Sequence, residues 1–130
     1  MKALVFCFAI LLASNAFAQS KPPVVGEWEG ESVCQVPKPC TTEHVIYDIE
    51  QDAAGQLTMK ADKVVNGQRE WMGTLNCVWF APKLSCPLTN VSRPGDWVFT
   101  LEGNTLRGTL TLRDTKIVFR KVTVRRKGMS

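Results

Sequence analysis

From residue 26 onward, apolar and polar side chains alternate along nearly the whole chain. Val45-Ile46-Tyr47-Asp48-Ile49, Trp97-Val98-Phe99-Thr100-Leu101 and Leu106-Arg107-Gly108-Thr109-Leu110 show the pattern. A repeat of two is the mark of a strand with one buried face, and no stretch carries the 3.6-residue repeat of an amphipathic helix. Turn residues interrupt the pattern about every ten positions. Eight strands are predicted, at 26–34, 43–51, 56–64, 68–79, 83–88, 96–101, 105–112 and 117–125. The links are mostly short, which favours antiparallel neighbours in an up-and-down meander.

Strand parity tests the hairpins, because each added loop residue reverses which faces coincide. A two-residue Gly103-Asn104 turn pairs Leu101 with Leu106, Phe99 with Gly108 and Trp97 with Leu110, so the apolar residues share a face. A loop of Phe80-Ala81-Pro82-Lys83 pairs Trp79 with Leu84 and sets Cys77 opposite Cys86. For the hairpin around Asn66-Gly67, a two-residue turn would set Met59 and Trp71 on opposite faces. A three-residue loop, Val65-Asn66-Gly67, pairs Ala61 with Trp71 instead, and is the preferred reading. With it, Trp28, Tyr47, Met59, Trp71, Trp79, Trp97 and Phe99 all face inward.

Eight antiparallel strands with one apolar face each form either a sandwich or a closed barrel. Charge favours the barrel. Glu27, Glu29 and Glu31 share the face of the first strand opposite Trp28, while residues 105–130 carry eight Lys/Arg against one acid, Asp114. If the first and last strands pair, acidic and basic rows meet across the seam, at roughly 0.2–1 kcal/mol per opposed pair. The basic end then needs no nucleic-acid partner.

The first 18 residues have the three parts of a secretory signal: Lys2, a short apolar core, and Ala16-Phe17-Ala18 before Gln19. The apolar run is shorter than the roughly 20 residues of a membrane span. Cys7 is not at the cleavage point, so no lipid anchor is expected. Cleavage would leave a leader, residues 19–25, and one domain, residues 26–130. Export is to the periplasm or the medium. Four cysteines remain, Cys34, Cys40, Cys77 and Cys86, and an even count in an exported chain implies disulfides. Of three connectivities, Cys34–Cys40 with Cys77–Cys86 is expected. A zinc site would want tighter Cys-x-x-Cys spacing.

Gly26-x-Trp28 opening the first strand, eight meandering strands and a basic last strand resemble the lipocalin and wider calycin pattern. That resemblance implies a barrel whose Trp28 packs at the closed end beneath an arginine, here Arg120 or Arg125. Lipocalins are usually longer and carry a helix, which is not found here. The chain also resembles a group of small exported bacterial proteins of no known activity. They share Gly26-Glu27-Trp28-Glu29-Gly30, Cys34 with Cys40, Glu43-His44-Val45-Ile46-Tyr47, Ala61-Asp62-Lys63-Val64-Val65, Met72-Gly73 and Gly108-Thr109-Leu110.

Candidate chemistry is sparse. The single histidine, His44, falls on the face opposite Val45 and Tyr47 and reads as exposed. No serine or free cysteine has a histidine partner for a nucleophilic triad. Glu50, Asp52 and Asp62 lack calcium-loop spacing, and no glycine-rich phosphate loop occurs. No cofactor or metal is expected. The inward aromatics either fill the core or line a pocket for one small ligand, since an eight-stranded barrel is narrow. Two non-enzymatic readings follow. One is a barrel binding a small apolar molecule among Met59, Trp71 and Trp97. The other is a protein-binding module, such as a small secreted protease inhibitor, with a filled core and an exposed leader.

Overall fold

The computed structural model describes residues 21–128, and the expected signal segment lies outside them. Eight strands form as the alternation predicts: β1 (Gly26–Cys34), β2 (Glu43–Gln51), β3 (Leu57–Val65), β4 (Gln68–Phe80), β5 (Lys83–Leu88), β6 (Gly95–Glu102), β7 (Thr105–Leu112) and β8 (Val118–Arg126). Each pairs antiparallel with its neighbours in chain order, and β8 returns to β1 to close a barrel. Closure removes the two free edges that an open sheet would expose.

The β1–β8 seam sets Trp28 opposite Arg126, Glu29 opposite Arg125 and Gly30 opposite Val124. Gly30 permits this approach, since a Cβ there would run into the backbone of Thr123. The charged rows meet only in part. Lys127 pairs with Glu27 at 3.1 Å, but Glu31 faces Thr123, and Glu29 turns to His44 at 2.7 Å. Glu27 also belongs to a hub on the outer wall, where Arg69 reaches Asp62 at 2.9 Å, Asp48 at 3.0 Å and Glu27 at 3.5 Å. One guanidinium so ties four strands together. Burial and a hydrogen bond to Glu27 raise the Asp48 carboxyl above its ordinary range. The bonds from Asp48 and Lys127 lower that of Glu27.

Both disulfides have the expected pairing, Cys34–Cys40 and Cys77–Cys86. Two disulfides place the chain in an oxidising, extracytoplasmic setting. The β4–β5 register, Trp79 with Leu84, continues to set Cys77 opposite Cys86, with Cα atoms 4.3 Å apart. The Gly103-Asn104 turn also forms, pairing Leu101 with Leu106 and Trp97 with Leu110.

The β3–β4 hairpin differs from expectation. Its turn is the two-residue Asn66-Gly67, both at positive φ (52° and 77°), with Val65 opposite Gln68. That suits the primed turns hairpins prefer. A bulge restores the parity: Ala61 pairs with Gly73 and Asp62 with Trp71, leaving Met72 as the extra residue. Trp71 therefore points outward, 66% exposed, and is not part of the interior. The other inward assignments hold. Trp28, Tyr47, Met59 and Phe99 are buried, and Trp79 and Trp97 pack partly buried against the same core.

The core fills one end of the barrel. Trp28, Leu84, Phe99, Leu106 and Val124 are wholly buried there, and Phe99 lies over Gly108, whose missing Cβ leaves room for the ring. The chain before β1 forms the floor. Val24 is wholly buried and accepts a hydrogen bond from Trp28 Nε1 at 2.9 Å. Arg126 lies over the Trp28 ring, 4.3 Å from its centre, and donates to the carbonyls of Val25 and Pro23. The arginine on Trp28 is thus neither Arg120 nor Arg125. The seam register puts Arg126 directly across from Trp28 on the inward row. Nor is the described part of the leader an exposed arm: it is built into the closed end.

Candidate functional site

The opposite end of the barrel is hollow. A cavity of about 300 Å³ lies among the strand ends near the 35–42, 89–94 and 113–117 connections. Its wall is mostly apolar. Val45 and Tyr47 come from β2, Met59 and Ala61 from β3, Leu75 from β4, and Trp97 from β6. These are inward positions of their strands, so the alternation that builds the barrel also lines the cavity. Trp97 stacks on Phe99 at 5.5 Å, and Tyr47 meets Phe99 edge-on at 5.9 Å. Phe99 therefore separates the hollow end from the filled one.

One side of the cavity is bounded by β4 and β5 where their ladder stops. The two strands pair from Phe80–Lys83 to Val78–Ser85, and the Cys77–Cys86 bridge follows at once. Beyond it, Met72, Gly73 and Leu75 of β4 and Leu88 of β5 line the cavity. Met72 takes this place because of the bulge, where Trp71 was expected. Of the expected trio, Met59 and Trp97 line the cavity and Trp71 does not. Trp28, Trp79 and Phe99 belong to the filled core and are not among the lining residues.

The polar part of the wall is small. Ser32, Glu43 and Arg120 stand on inward rows of β1, β2 and β8: Ser32 faces Glu43, and Arg120 faces Leu110. Arg120 Nη1 donates to Thr41 O at 3.0 Å and to Ser32 O and Oγ, each at 3.3 Å. Its Nη2 lies 3.6 Å from Glu43 Oε1. Burial holds the Tyr47 hydroxyl above the usual phenol range, the Glu43 carboxylate adds to this, and Arg120 opposes it. Among the described residues, none forms a hydrogen bond to that hydroxyl.

This polar corner was missed from the sequence, although part of it was legible there. Glu43 shares parity with Val45 and Tyr47, and Ser32 with Trp28. Arg120 was one of two candidates for the place over Trp28, which lies at the other end. His44, by contrast, sits on the outer wall as expected, about half exposed and paired with Glu29. The chain matches no protein-family model and no curated protein. What it shares with calycins, on this footing, is the architecture of an eight-stranded antiparallel closed barrel.

Proposed function

We propose that this chain is a non-enzymatic, exported barrel that carries a small apolar molecule in its open-end cavity. The supporting observation is the contrast inside the barrel: one end is filled by wholly buried side chains such as Trp28, Leu84 and Leu106, and the other keeps about 300 Å³ of mostly apolar space. Ligand pockets start at about that size. An apolar molecule entering it loses its contact with water, worth roughly 25 cal/mol per Å² buried. At about 30 Å³ for a water-sized group, the space takes roughly ten non-hydrogen atoms.

Titration calorimetry with toluene and tryptophan fluorescence, since Trp97 lines the cavity, test this reading. The wild-type chain is expected to bind with a shift in emission. Ala61→Phe, which puts a ring into the cavity from β3, is expected to abolish binding while the barrel stays folded. No heat and no spectral shift in the wild type would end the proposal. The protease-inhibitor reading needs an arm that reaches a partner's cleft. Among the described residues of the 19–25 segment, Pro23, Val24 and Val25 give their carbonyls to Arg126 and Trp28, which ties them to the barrel.

A further inference from the structure

Three features of the cavity's polar corner bear on what its ligand looks like. First, its two charges compensate each other. Glu43 and Arg120 both face inward, 3.6 Å apart, with side chains only 25% and 13% exposed. Secondly, the guanidinium is already occupied by protein oxygens from Ser32 and Thr41. Thirdly, the Tyr47 hydroxyl lines the same cavity, belongs to a residue only 3% exposed, and has no hydrogen-bond partner among the described residues.

The Tyr47 hydroxyl is not among the fully buried, unpartnered side-chain atoms, so it keeps access to the cavity. The protein does not pair it, so its partner, water or ligand, comes from within the cavity, and a ligand that displaces the water has to replace that bond. A ligand carboxylate placed there would meet Glu43, and an ammonium would meet Arg120. Either would also give up its hydration in an apolar chamber. A neutral oxygen meets neither obstacle.

We infer that the cavity takes a neutral amphipathic molecule of roughly ten non-hydrogen atoms, with its apolar chain along Met59, Leu75 and Trp97 and a single hydroxyl or carbonyl oxygen on Tyr47. This rests on the proposed function and specifies its ligand class. Tyr47 is then the residue that fixes the ligand's orientation, and the Glu43–Arg120 pair is the device that rejects charged head groups of either sign.

The test compares molecules of one chain length and three head groups: octanol, octanoate and octylamine, with toluene as the wholly apolar reference. Calorimetry on the wild-type chain is expected to rank octanol at least about tenfold above both ions. Tyr47→Phe should weaken octanol about three- to tenfold, the worth of one hydrogen bond, and leave toluene unchanged. Glu43→Gln frees the charge of Arg120 and should raise octanoate affinity about tenfold. Toluene binding with octanoate or octylamine equal to octanol would overturn the neutral-head assignment and leave the apolar-ligand reading standing. Octanol affinity unmoved by Tyr47→Phe would overturn it equally. Binding of none of the four, toluene included, would bring down both. If a variant does not fold, the wild-type ranking alone still decides.

Discussion

Tyr47 is the only tyrosine in the chain, which makes its protonation directly readable. Burial disfavours the phenolate, the neighbouring Glu43 carboxylate disfavours it further, and Arg120 relieves part of the effect. In the unfolded chain the phenol titrates near its ordinary value of about 10. In the folded barrel it titrates higher. The stabilisation from keeping it neutral is therefore fully present below pH of about 10 and is lost as the pH rises beyond it. Between the two pKa values the loss amounts to about 1.4 kcal/mol for each pH unit. An alkaline titration followed by phenolate absorbance, with unfolding free energies measured over the same pH range, should show phenolate appearing above the ordinary phenol range and stability falling over that interval. Phenolate appearing near its ordinary pKa, with the stability unchanged, would mean that the ring is not enclosed as described.

At the scale of the strand, alternation was enough to locate all eight elements to within a residue or so at each end, and parity placed two hairpins and the Cys77–Cys86 bridge. It failed at β3–β4 for a physical reason. A three-residue loop and a two-residue turn followed by a bulge have the same effect on parity further along the strand, so both set Met59 and Leu75 on one face. In facing they differ only between the turn and the bulge, at residues 68–72; in register they differ by two residues beyond it, since the three-residue loop pairs Met59 with Gly73 and the barrel pairs it with Leu75. Trp71 falls in that stretch, and no local preference in the sequence marks Met72 as the inserted residue. The polar corner was harder to see for another reason: Ser32, Glu43 and Arg120 come from three strands and meet only once the barrel closes. The reassigned tryptophan gives a contrast in stability. Trp71→Ala removes an indole that is 66% exposed and should change the unfolding free energy by about 0.5 kcal/mol or less. Trp28→Ala removes one that is wholly buried and should cost about 3–5 kcal/mol. Urea unfolding of the two variants decides the matter, and equal losses would return Trp71 to the core.

Across the whole molecule, the buried core and the cavity lie at opposite ends, and two inward arginines of β8 mark them. Arg126 caps the filled end over Trp28, and Arg120 forms part of the cavity wall. Six residues of strand separate them, roughly 20 Å at about 3.3 Å per residue. Sites further apart than about 10 Å with no shared partner act nearly additively. Arg126 touches the Trp28 ring and the carbonyls of Val25 and Pro23, and none of these lines the cavity. Arg126→Ala therefore removes a cation–π contact and two bonds to the chain before β1. Allowing for its partial exposure, the loss should be about 2 kcal/mol. The exchange rate of the Val25 amide, which donates to Pro22 O at 3.0 Å, should rise as the floor of the barrel loosens. Toluene affinity should stay within about twofold of wild type, since the additive limit allows a few tenths of a kcal/mol. A fall in affinity that tracked the fall in stability would show that the two ends yield as one unit. The filled end would then be shaping the cavity as well as supporting it.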